Sequence, residues 1–402
     1  MNDLKVKNYK VCFTIFLFFY LLIGILLNDK NVIFKYSDEI IAIILSIIIF
    51  LQFLHKKINK ENLIFFITLI FIGLIGFLAN FMSEIQKSFF PIVVDYLGVI
   101  KIFLTFFGIT NFLNIYEKKL FFKKLGLISY IFLFVAFICG IISLFFDIGM
   151  SGDYRFGVRS FRFIFKYEHE FSVFVFSFLL ISLSSYINKR YKTSALIFAI
   201  VLLFLSTKGP SFILAAFLIY FYTLRNINKQ IRKILMPLLF ISCVGLSMYQ
   251  IQNYLLNSDS ARSILYKYGW QTFIDYFPFG TGFATYGSDM AYKYYSSLYF
   301  KYGFNNMWGL SKEQGWYLND NYFPMLIGQF GIFSLLFIYL FYFITKKVIK
   351  TEKDDGFLKY LSISILIYYF IHSVGSAILT SSVGVLGFFV LGLYCDTCEE
   401  KR

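Results

Sequence analysis

Three arginines stand close together between two apolar runs of this 402-residue chain. Arg155, Arg159 and Arg162 have the spacing i, i+4, i+7, which places them on one face if the segment is helical, whereas Gly157 favours a turn. A planar guanidinium binds phosphate oxygens through two parallel hydrogen bonds. The cluster therefore suits a clamp for a lipid-linked diphosphate, with attachment to anionic lipid headgroups as the alternative.

Titratable groups follow at the start of the next apolar run, where Glu168, His169 and Glu170 are consecutive. They could supply an acid or a base, or form a solvated helix start whose carboxylates are favoured by the helix dipole. Adjacent residues do not converge on one helix face, so we predict no metal site here. His372, in a later apolar run, is more typical of a hydrogen-bonded core histidine than of a catalyst.

The stretch 251–320 holds all three tryptophans of the chain and eleven tyrosines. An aromatic belt at the lipid headgroups is one explanation, but a belt would spread over many helix ends. Trp270, Trp308 and Trp316 in one stretch also suit a surface that packs against sugar rings. The amide side chains available to bind sugar hydroxyls there are Asn305, Asn306, Asn319 and Asn321.

Two charged residues, Asp95 and Lys101, lie inside an apolar run, where charges are costly and often functional. They are six residues apart and so lie near opposite helix faces, which argues against a direct pair. For Lys101, snorkelling or a structural partner on another helix is at least as well supported as a catalytic role. The acidic pair Asp38-Glu39 could serve a glycosyltransferase, but we expect it to start the second helix.

The amino-acid composition indicates the type of fold that positions these groups. Hydrophobic residues make up 58% of the chain and charged residues 15%, with a mean hydropathy of +0.69. Apolar runs of this length cross about 30 Å of hydrocarbon as helices. We therefore predict an all-α polytopic membrane protein. Disordered chains, disulfide scaffolds and soluble enzymes are excluded, as are β-barrels, whose strands alternate apolar and polar residues.

Apolar segments predict about twelve transmembrane helices, all in a single integral membrane domain over residues 1–402. The segments are about 11–28, 39–54, 62–80, 91–114, 125–146, 167–187, 193–206, 210–224, 234–250, 322–345, 357–374 and 378–395. The sequence Thr207-Lys208-Gly209-Pro210 separates the seventh from the eighth. Residues 251–320 are then one large extracytoplasmic loop between helices 9 and 10.

The distribution of Lys and Arg predicts that both termini are cytosolic. With this orientation every short cytosolic loop carries at least three cations, including 55–61 and 115–124, as the positive-inside rule requires. The net charge of +15 is thereby explained by the lipid bilayer, and we expect no nucleic acid partner.

Metal and nucleotide signatures are absent from the sequence. Cys395 and Cys398 form a Cys-x-x-Cys pair without the second pair that a zinc site needs. There is no P-loop, no GxGxxG opening a helix, no HExxH and no GxSxG. We expect no metal and no cofactor, so an enzyme of this kind needs a donor that is already activated and arrives in the membrane.

Four short patterns within about 150–335 resemble the O-antigen polymerase (Wzy-type) and O-antigen ligase family of bacterial surface polysaccharide assembly. Arg155-Phe156-Gly157, followed by His169 and Phe171, is similar to the family's Arg/Gly loop before a helix. Leu205-Ser206-Thr207-Lys208-Gly209 is similar to its Thr-x-Ser-Arg-Gly turn, with Lys208 where arginine is usual.

The other two patterns flank the long loop. Arg262, Trp270 and then Pro278-Phe279-Gly280-Thr281-Gly282 resemble the family's Arg, Trp and Pro-x-x-Gly-x-Gly. The stretch from Asp320-Asn321-Tyr322-Phe323 to Gln329-Phe330-Gly331 resembles the opening of the following helix, where ligases typically have His-Asn and Glu-x-Gly. Asp320 in place of the histidine and Gln329 in place of the glutamate favour a polymerase.

The resemblance implies a metal-independent glycosyltransferase of the bacterial cytoplasmic (inner) membrane. It would join oligosaccharide repeat units into O-antigen of lipopolysaccharide, capsule or exopolysaccharide. Donor and acceptor would both be linked to polyprenyl diphosphate, such as undecaprenyl diphosphate, on the outer leaflet. A chain-length regulator and a flippase are the partners it implies.

Residue roles follow from the same resemblance. Arg155, Arg159 and Arg262 would bind the diphosphate, with Lys208 as a fourth cation. Asp320 is the first candidate for the base, and His169 or Glu168 the second.

Two alternatives keep the same substrates. A ligase-type transferase would move finished polymer to another acceptor. A lipid-linked oligosaccharide flippase would place charges inside the bundle and interrupt helices with Gly and Pro in matching halves. The chain has five prolines, and its polar residues concentrate in the predicted outer loops, which favours an enzyme.

Overall fold

The computed structural model describes residues 2–28, 32–55, 60–223, 260–351 and 356–395, with isolated one- and two-residue stretches between 231 and 257. In chain order the helices are α1 (Asn2–Leu27), α2 (Val32–Lys35), α3 (Ser37–His55), α4 (Lys60–Ser83), α5 (Phe89–Phe112), α6 (Ile115–Phe145), α7 (Glu168–Ser184), α8 (Lys189–Leu205), α9 (Gly209–Thr223), α10 (Ala261–Asp275), α11 (Asp289–Lys293), α12 (Ser297–Lys301), α13 (Tyr322–Phe330), α14 (Leu335–Lys350), α15 (Gly356–His372) and α16 (Ser382–Tyr394). Strands β1 (Ser151–Arg155) and β2 (Val158–Phe161) form a hairpin. Single 3₁₀ turns cover Phe304–Asn306, Gly331–Ser334 and Ile378–Thr380.

Long apolar helices confirm the predicted class, a helical membrane protein. Within the described ranges, six helical stretches are long and apolar enough to cross a membrane. They are Tyr9–Leu27, Ser37–Leu54, Lys60–Ser83, Phe89–Phe112, Ile115–Phe145 and Tyr322–Lys350. Large apolar side chains on them face outward, such as Phe81, which is 82% exposed. An exposed surface of this kind is suited to lipid.

Shorter helices occupy the remaining predicted segments that the structure describes. Helices α7, α8, α9, α15 and α16 lie at the predicted sixth, seventh, eighth, eleventh and twelfth segments. The predicted ninth segment, 234–250, falls largely outside the described residues. The separation of α8 from α9 at residues 206–208 confirms the predicted break, and Thr207 there has a positive φ of 48°.

One predicted loop is wrong. Residues 115–124 are the first turns of α6 and do not form a connecting loop. Asn114 Oδ1 accepts a hydrogen bond from the Glu117 amide at 2.9 Å, while Glu117 Oε2 accepts one from the Asn114 amide at 2.8 Å. This capping box starts the helix before the apolar run begins.

Helix α16 lies in the middle of the bundle. All residues from Val383 to Tyr394 are buried, and the helix packs against α1, α5 and α7. Glycines allow the neighbours to approach closely: a Cβ at Gly387 would overlap the Tyr369 side chain, and one at Gly392 would lie 2.9 Å from the Phe106 carbonyl oxygen. Small residues at helix contacts are typical of membrane bundles.

Polar contacts join several helix ends at one end of the bundle. Lys346 Nζ lies 2.9 Å from Glu61 Oε1, which joins two segments predicted on the same side. The Lys118 ammonium donates to the carbonyl oxygen of Cys395 at that end as well. Cys398 lies outside the described residues. The hairpin, the α8–α9 turn and residues 260–321 meet at the other end.

The arginine cluster is not helical, which corrects the expectation of one helical face for Arg155 and Arg159. Arg155 ends β1, Phe156 and Gly157 form the turn with φ of 52° and 77°, and β2 returns antiparallel. Gly157, which favoured a turn, is the residue that decides the structure, because positive φ costs glycine little.

Tyrosines in the stretch 260–321 build a small core of their own. Tyr286, Tyr295, Tyr299 and Tyr302 are buried there with Leu265 and other apolar side chains. Their hydroxyls bond within the protein, as for Tyr286 Oη to the Leu265 carbonyl oxygen at 2.6 Å. These four rings are therefore packing residues and do not contribute to a sugar-binding surface.

The Pro-x-x-Gly-x-Gly sequence fastens this stretch to the bundle. The Thr281 amide donates to the Gly328 carbonyl oxygen at 3.0 Å, and the Gly282 amide to that of Gln329 at 2.8 Å. Asn80 of α4 bonds both the amide and the carbonyl oxygen of Phe283, at 2.7 and 2.8 Å. Residues 278–284 are thereby fixed against α4 and α13.

Replacing Gly282 by alanine should release this attachment. Gly282 has a φ of 84° and a Cβ there would overlap Asn80, whereas Gly303 has a φ of 72° with open space around it. Backbone strain of about 1–2 kcal/mol applies to both alanine variants, and overpacking adds about 1–3 kcal/mol at Gly282 alone. We expect a clearly lower thermal unfolding midpoint in detergent for G282A than for G303A. Equal midpoints would contradict the close packing.

Candidate functional site

A cavity of about 760 Å³ opens at the end of the bundle where the predicted outer segments meet. Six of the candidate residues named from the sequence line it: His169, Lys208, Arg262, Trp316, Asn319 and Asp320. They come from α7, the α8–α9 turn, α10 and the residues before α13. Segments up to 151 residues apart in sequence, from 169 to 320, therefore contribute to one site.

Arg262 and Asp320 form an ion pair in this cavity. Arg262 Nη2 donates to Asp320 Oδ2 at 2.7 Å, and both side chains are largely buried. Arg262 is the second residue of α10, which starts where Ser260 Oγ accepts a bond from the Ser263 amide at 3.2 Å. The short distance and the partial burial make this a strong, charge-assisted bond.

Asn321 holds the ion pair in place. Its Nδ2 donates to the main-chain carbonyl oxygen of Arg262 at 2.9 Å, and the residue is only 1% exposed. This side chain therefore links the start of α10 to the start of α13. The geometry favours this structural role for Asn321 over the predicted contact with sugar.

Burial changes the proton affinity of Asp320. Loss of solvent raises the pKa of this carboxyl, although the nearby Arg262 guanidinium opposes the shift. A carboxylate with a raised pKa is a stronger base than an exposed aspartate. Asp320 can therefore accept a proton when its arginine partner is drawn away.

Lys208 enters the cavity from the turn between α8 and α9. The hydroxyls of Ser160 and Thr207 are hydrogen-bonded, which ties this turn to β2. Lys208 Nζ lies 3.3 Å from Glu168 Oε2. Burial lowers the pKa of Lys208, and the charges of Arg155 and Arg262 act in the same direction, whereas Glu168 opposes them. Glu168 is thus a partner of Lys208 and does not itself line the cavity.

Two histidine rings meet on one wall. The centroids of His169 and His372 are 5.3 Å apart, and the Tyr167 ring stacks on His169 at 5.4 Å. Sequence reasoning treated His372 as a core residue, whereas it lines the cavity. Its position at the end of α15 was the available signal, because that end was predicted to lie with the outer loops.

The hairpin arginines have different surroundings. Arg155 is close enough to Lys208 for its charge to lower the pKa of the lysine. Arg159 bonds Tyr154 Oη through Nε at 2.6 Å, and its Nη1 lies 3.7 Å from Asp147 Oδ2. Arg155 therefore adds to the positive field at Lys208, whereas Arg159 is part of the hairpin surface.

The three tryptophans also differ in their position relative to the cavity. Trp316 lines the cavity and is 58% exposed, and Trp308 packs edge-to-face against it with centroids 6.3 Å apart. Trp270 lies on an exposed face of α10 and stacks on Phe273. Trp316 can pack against a ligand, and Trp308 supports it from outside the lining, whereas Trp270 lies outside the lining and, among the described residues, makes no ring contact with Trp316.

The charges inside the membrane helices have structural partners. The Lys101 ammonium bonds Asp38 and, at 2.7 Å, Glu39 Oε1, which confirms the expected partner on another helix. Asp95 Oδ2 accepts bonds from the Ala284 amide at 2.5 Å and from Gln329 Nε2 at 3.0 Å. Asp95 thus attaches the 278–284 segment to α5.

Comparison of the chain with protein-family models, with curated proteins and with solved structures found no match. The cavity is therefore the basis for a function. It combines a largely buried carboxyl, two cations that can bind an anion, two imidazoles and an aromatic side chain. This set suits the transfer of a group whose leaving portion is anionic and whose acceptor must lose a proton.

Proposed function

We propose that this protein is a polysaccharide polymerase of the bacterial cytoplasmic membrane, with both termini in the cytosol. It would join polyprenyl-diphosphate-linked oligosaccharide repeat units on the outer face. The Arg262–Asp320 pair beside Lys208 is the observation that carries the proposal. One cavity thereby holds the groups needed to bind a diphosphate and to take a proton from a hydroxyl.

The chemistry involves one bond broken and one bond formed. The acceptor hydroxyl oxygen attacks the anomeric carbon of the donor sugar, and the bond from that carbon to the diphosphate oxygen breaks. The hydroxyl proton passes to the Asp320 carboxylate. The polyprenyl diphosphate leaves with the bonding electron pair, and Arg262 and Lys208 offset its charge. His169 remains the second candidate for the base.

The ion pair supports a fixed order of steps, in which the donor binds before Asp320 accepts a proton. Before the donor binds, Arg262 occupies the carboxylate. A diphosphate carries more negative charge than one carboxylate and competes for the same guanidinium. Binding of the donor would then free Asp320 for the proton. The base becomes available only when a leaving group is present.

The polymerase is favoured over a ligase by Asp320, not by Gln329. Gln329 is fully buried, and its Nε2 donates to Asp95 Oδ2 at 3.0 Å and to the Tyr286 carbonyl oxygen at 2.9 Å. It holds the 278–284 segment and does not line the cavity. The difference from ligases that bears on the chemistry is therefore the aspartate at position 320.

Surface polysaccharide from cells with and without this chain tests the proposal. Loss of the long ladder with single repeat units retained is the expected result. Polymer accumulating on its lipid carrier would indicate the ligase, and repeat units retained on the cytosolic leaflet would indicate the flippase. An unchanged gel would contradict all three assignments.

The pH dependence of polymerisation should report Asp320. Because burial raises its pKa, the carboxylate is lost at a higher pH than for an ordinary aspartate. Activity should fall as pH drops through this raised value, so the acidic limb lies above the usual aspartate range. Asp275 is the control, because its bond to Lys301 lowers its pKa and D275N should leave the limb in place. An acidic limb at the ordinary aspartate value would contradict this role.

A further inference from the structure

A second cavity, of about 980 Å³, lies beside the first and shares part of its wall. Asp289, Asn319, Thr380 and Ser381 line both cavities. The Asn319 amide donates to the Asp289 carboxylate, so a hydrogen-bonded pair of side chains stands between them. Asn319 precedes Asp320 in the chain, which places the partition next to the proposed base.

The lining of the second cavity suits a ligand without net charge. Four carboxyl groups and four lysines line it, so the charges balance. Hydroxyl and amide side chains and the rings of Tyr36 and Tyr292 complete most of the wall, with Val94 and Met290 as aliphatic members. Polar groups beside aromatic faces are what a sugar ring requires. A diphosphate would meet as many carboxylates as ammonium groups.

One wall of this cavity is built from buried charges. Lys101 and Asp38 are each 3% exposed and bonded to each other, and Lys101 also bonds Glu39 Oε1 at 2.7 Å. The other oxygen, Glu39 Oε2, is buried and accepts no hydrogen bond from the described residues. A buried carboxylate oxygen is satisfied by an O–H donor and repels an anion. A sugar hydroxyl meets this requirement.

We propose that the second cavity binds the terminal sugars of the acceptor repeat unit, a saccharide without net charge. This inference rests on the proposed polymerase function. The acceptor sugar would lie against Glu39 and Tyr292 and reach past Asn319, so that its attacking hydroxyl meets Asp320 in the first cavity. Donor and acceptor would thereby occupy separate cavities that meet at the base.

Gly98 allows the second cavity to be filled without disturbing the helices. It lies on α5 and lines the cavity, and a Cβ built there meets nothing within 4 Å. Leucine also has a higher helix propensity than glycine. Gly98→Leu should therefore fold and place its side chain in the space of the acceptor. Gly356, at the start of α15, is equally open, so G356L is the matched control.

The test measures two ligands on the full chain in detergent. The first is the oligosaccharide released from the lipid-linked repeat units of the source cells by mild acid, and the second is polyprenyl diphosphate. We expect G98L to weaken saccharide binding by about tenfold or more and to leave diphosphate binding unchanged. R262A should weaken diphosphate binding and leave saccharide binding unchanged, whereas G356L should change neither. E39Q, which keeps the shape of the side chain, should also weaken saccharide binding.

The outcomes separate this inference from the proposed function. If the wild-type chain binds both ligands and neither G98L nor E39Q weakens saccharide binding, the acceptor lies elsewhere and the polymerase proposal stands. If G98L loses both ligands at an unchanged unfolding midpoint, the cavities are not separate sites and the inference fails. If the wild-type chain binds no polyprenyl diphosphate, the proposed function and the inference both fail.

Discussion

Replacing Asp320 by asparagine should lower the rate of polymerisation by about 10²–10⁴-fold, the range for loss of a positioned base. The amide keeps the size of the side chain but cannot accept the proton. Donor binding should be equal to or tighter than in the wild-type chain, because Arg262 no longer has a carboxylate partner at 2.7 Å. Rate and donor affinity would then change independently, as expected for a base.

The measurement is turnover of purified lipid-linked repeat units, with donor binding followed separately. D275N is the matched control, since Asp275 makes a similar pair with Lys301 at 2.9 Å but lies outside the cavity lining. Exposed pairs of that kind contribute about 0–1 kcal/mol. Polymerisation by D320N at the wild-type rate would remove Asp320 from the mechanism and leave His169 as the candidate.

Replacing Arg262 by alanine should lower turnover by about 10²–10³-fold, as for loss of one group that stabilises developing charge. Donor affinity should fall as well, because the guanidinium binds the diphosphate before the bond breaks. R262K should recover part of the loss, since an ammonium keeps the charge but lacks the planar fork. The double variant R262A/D320N should lose less than the product of the single losses, because the two residues are partners.

Arg159→Ala is the matched control for Arg262. The same change is made on the hairpin, where Arg159 bonds Tyr154 and lies near Asp147. R159A should keep turnover and donor affinity within about twofold of the wild-type values, a difference of about 0.4 kcal/mol. Equal losses in R159A and R262A would show that general positive charge, and not the cavity, binds the donor.

Helices were predictable from the sequence because an apolar run of sufficient length is a local property. The break at Lys208 was predictable for the same reason, since glycine and proline act on their own backbone. The hairpin was not predicted from the sequence. Its two strands have only five and four residues, which is too short for a clear alternation of apolar and polar side chains, whereas the arginine spacing suggested a helix. Gly157 was the residue in this segment that indicated a turn.

The cavity depended on contacts that no local pattern contains. His372 and His169 meet because α7 and α15 pack together, which their composition does not reveal. The many tyrosines of 260–321 suggested a binding surface, but Tyr286 and Tyr299 are core residues. Gln329 stands at a position expected to carry chemistry, yet it bonds Asp95. Residue type alone could not distinguish side chains that line the cavity from side chains that attach one segment to another.

The central position of α16 has a consequence for biosynthesis. Its packing partners α1, α5 and α7 all precede it in the chain and therefore leave the ribosome first. Until α16 is inserted, the surfaces that will receive it face lipid or one another. The bundle thus closes around a helix that arrives after its neighbours. A nascent chain that stalls before residue 382 therefore leaves a bundle without its centre.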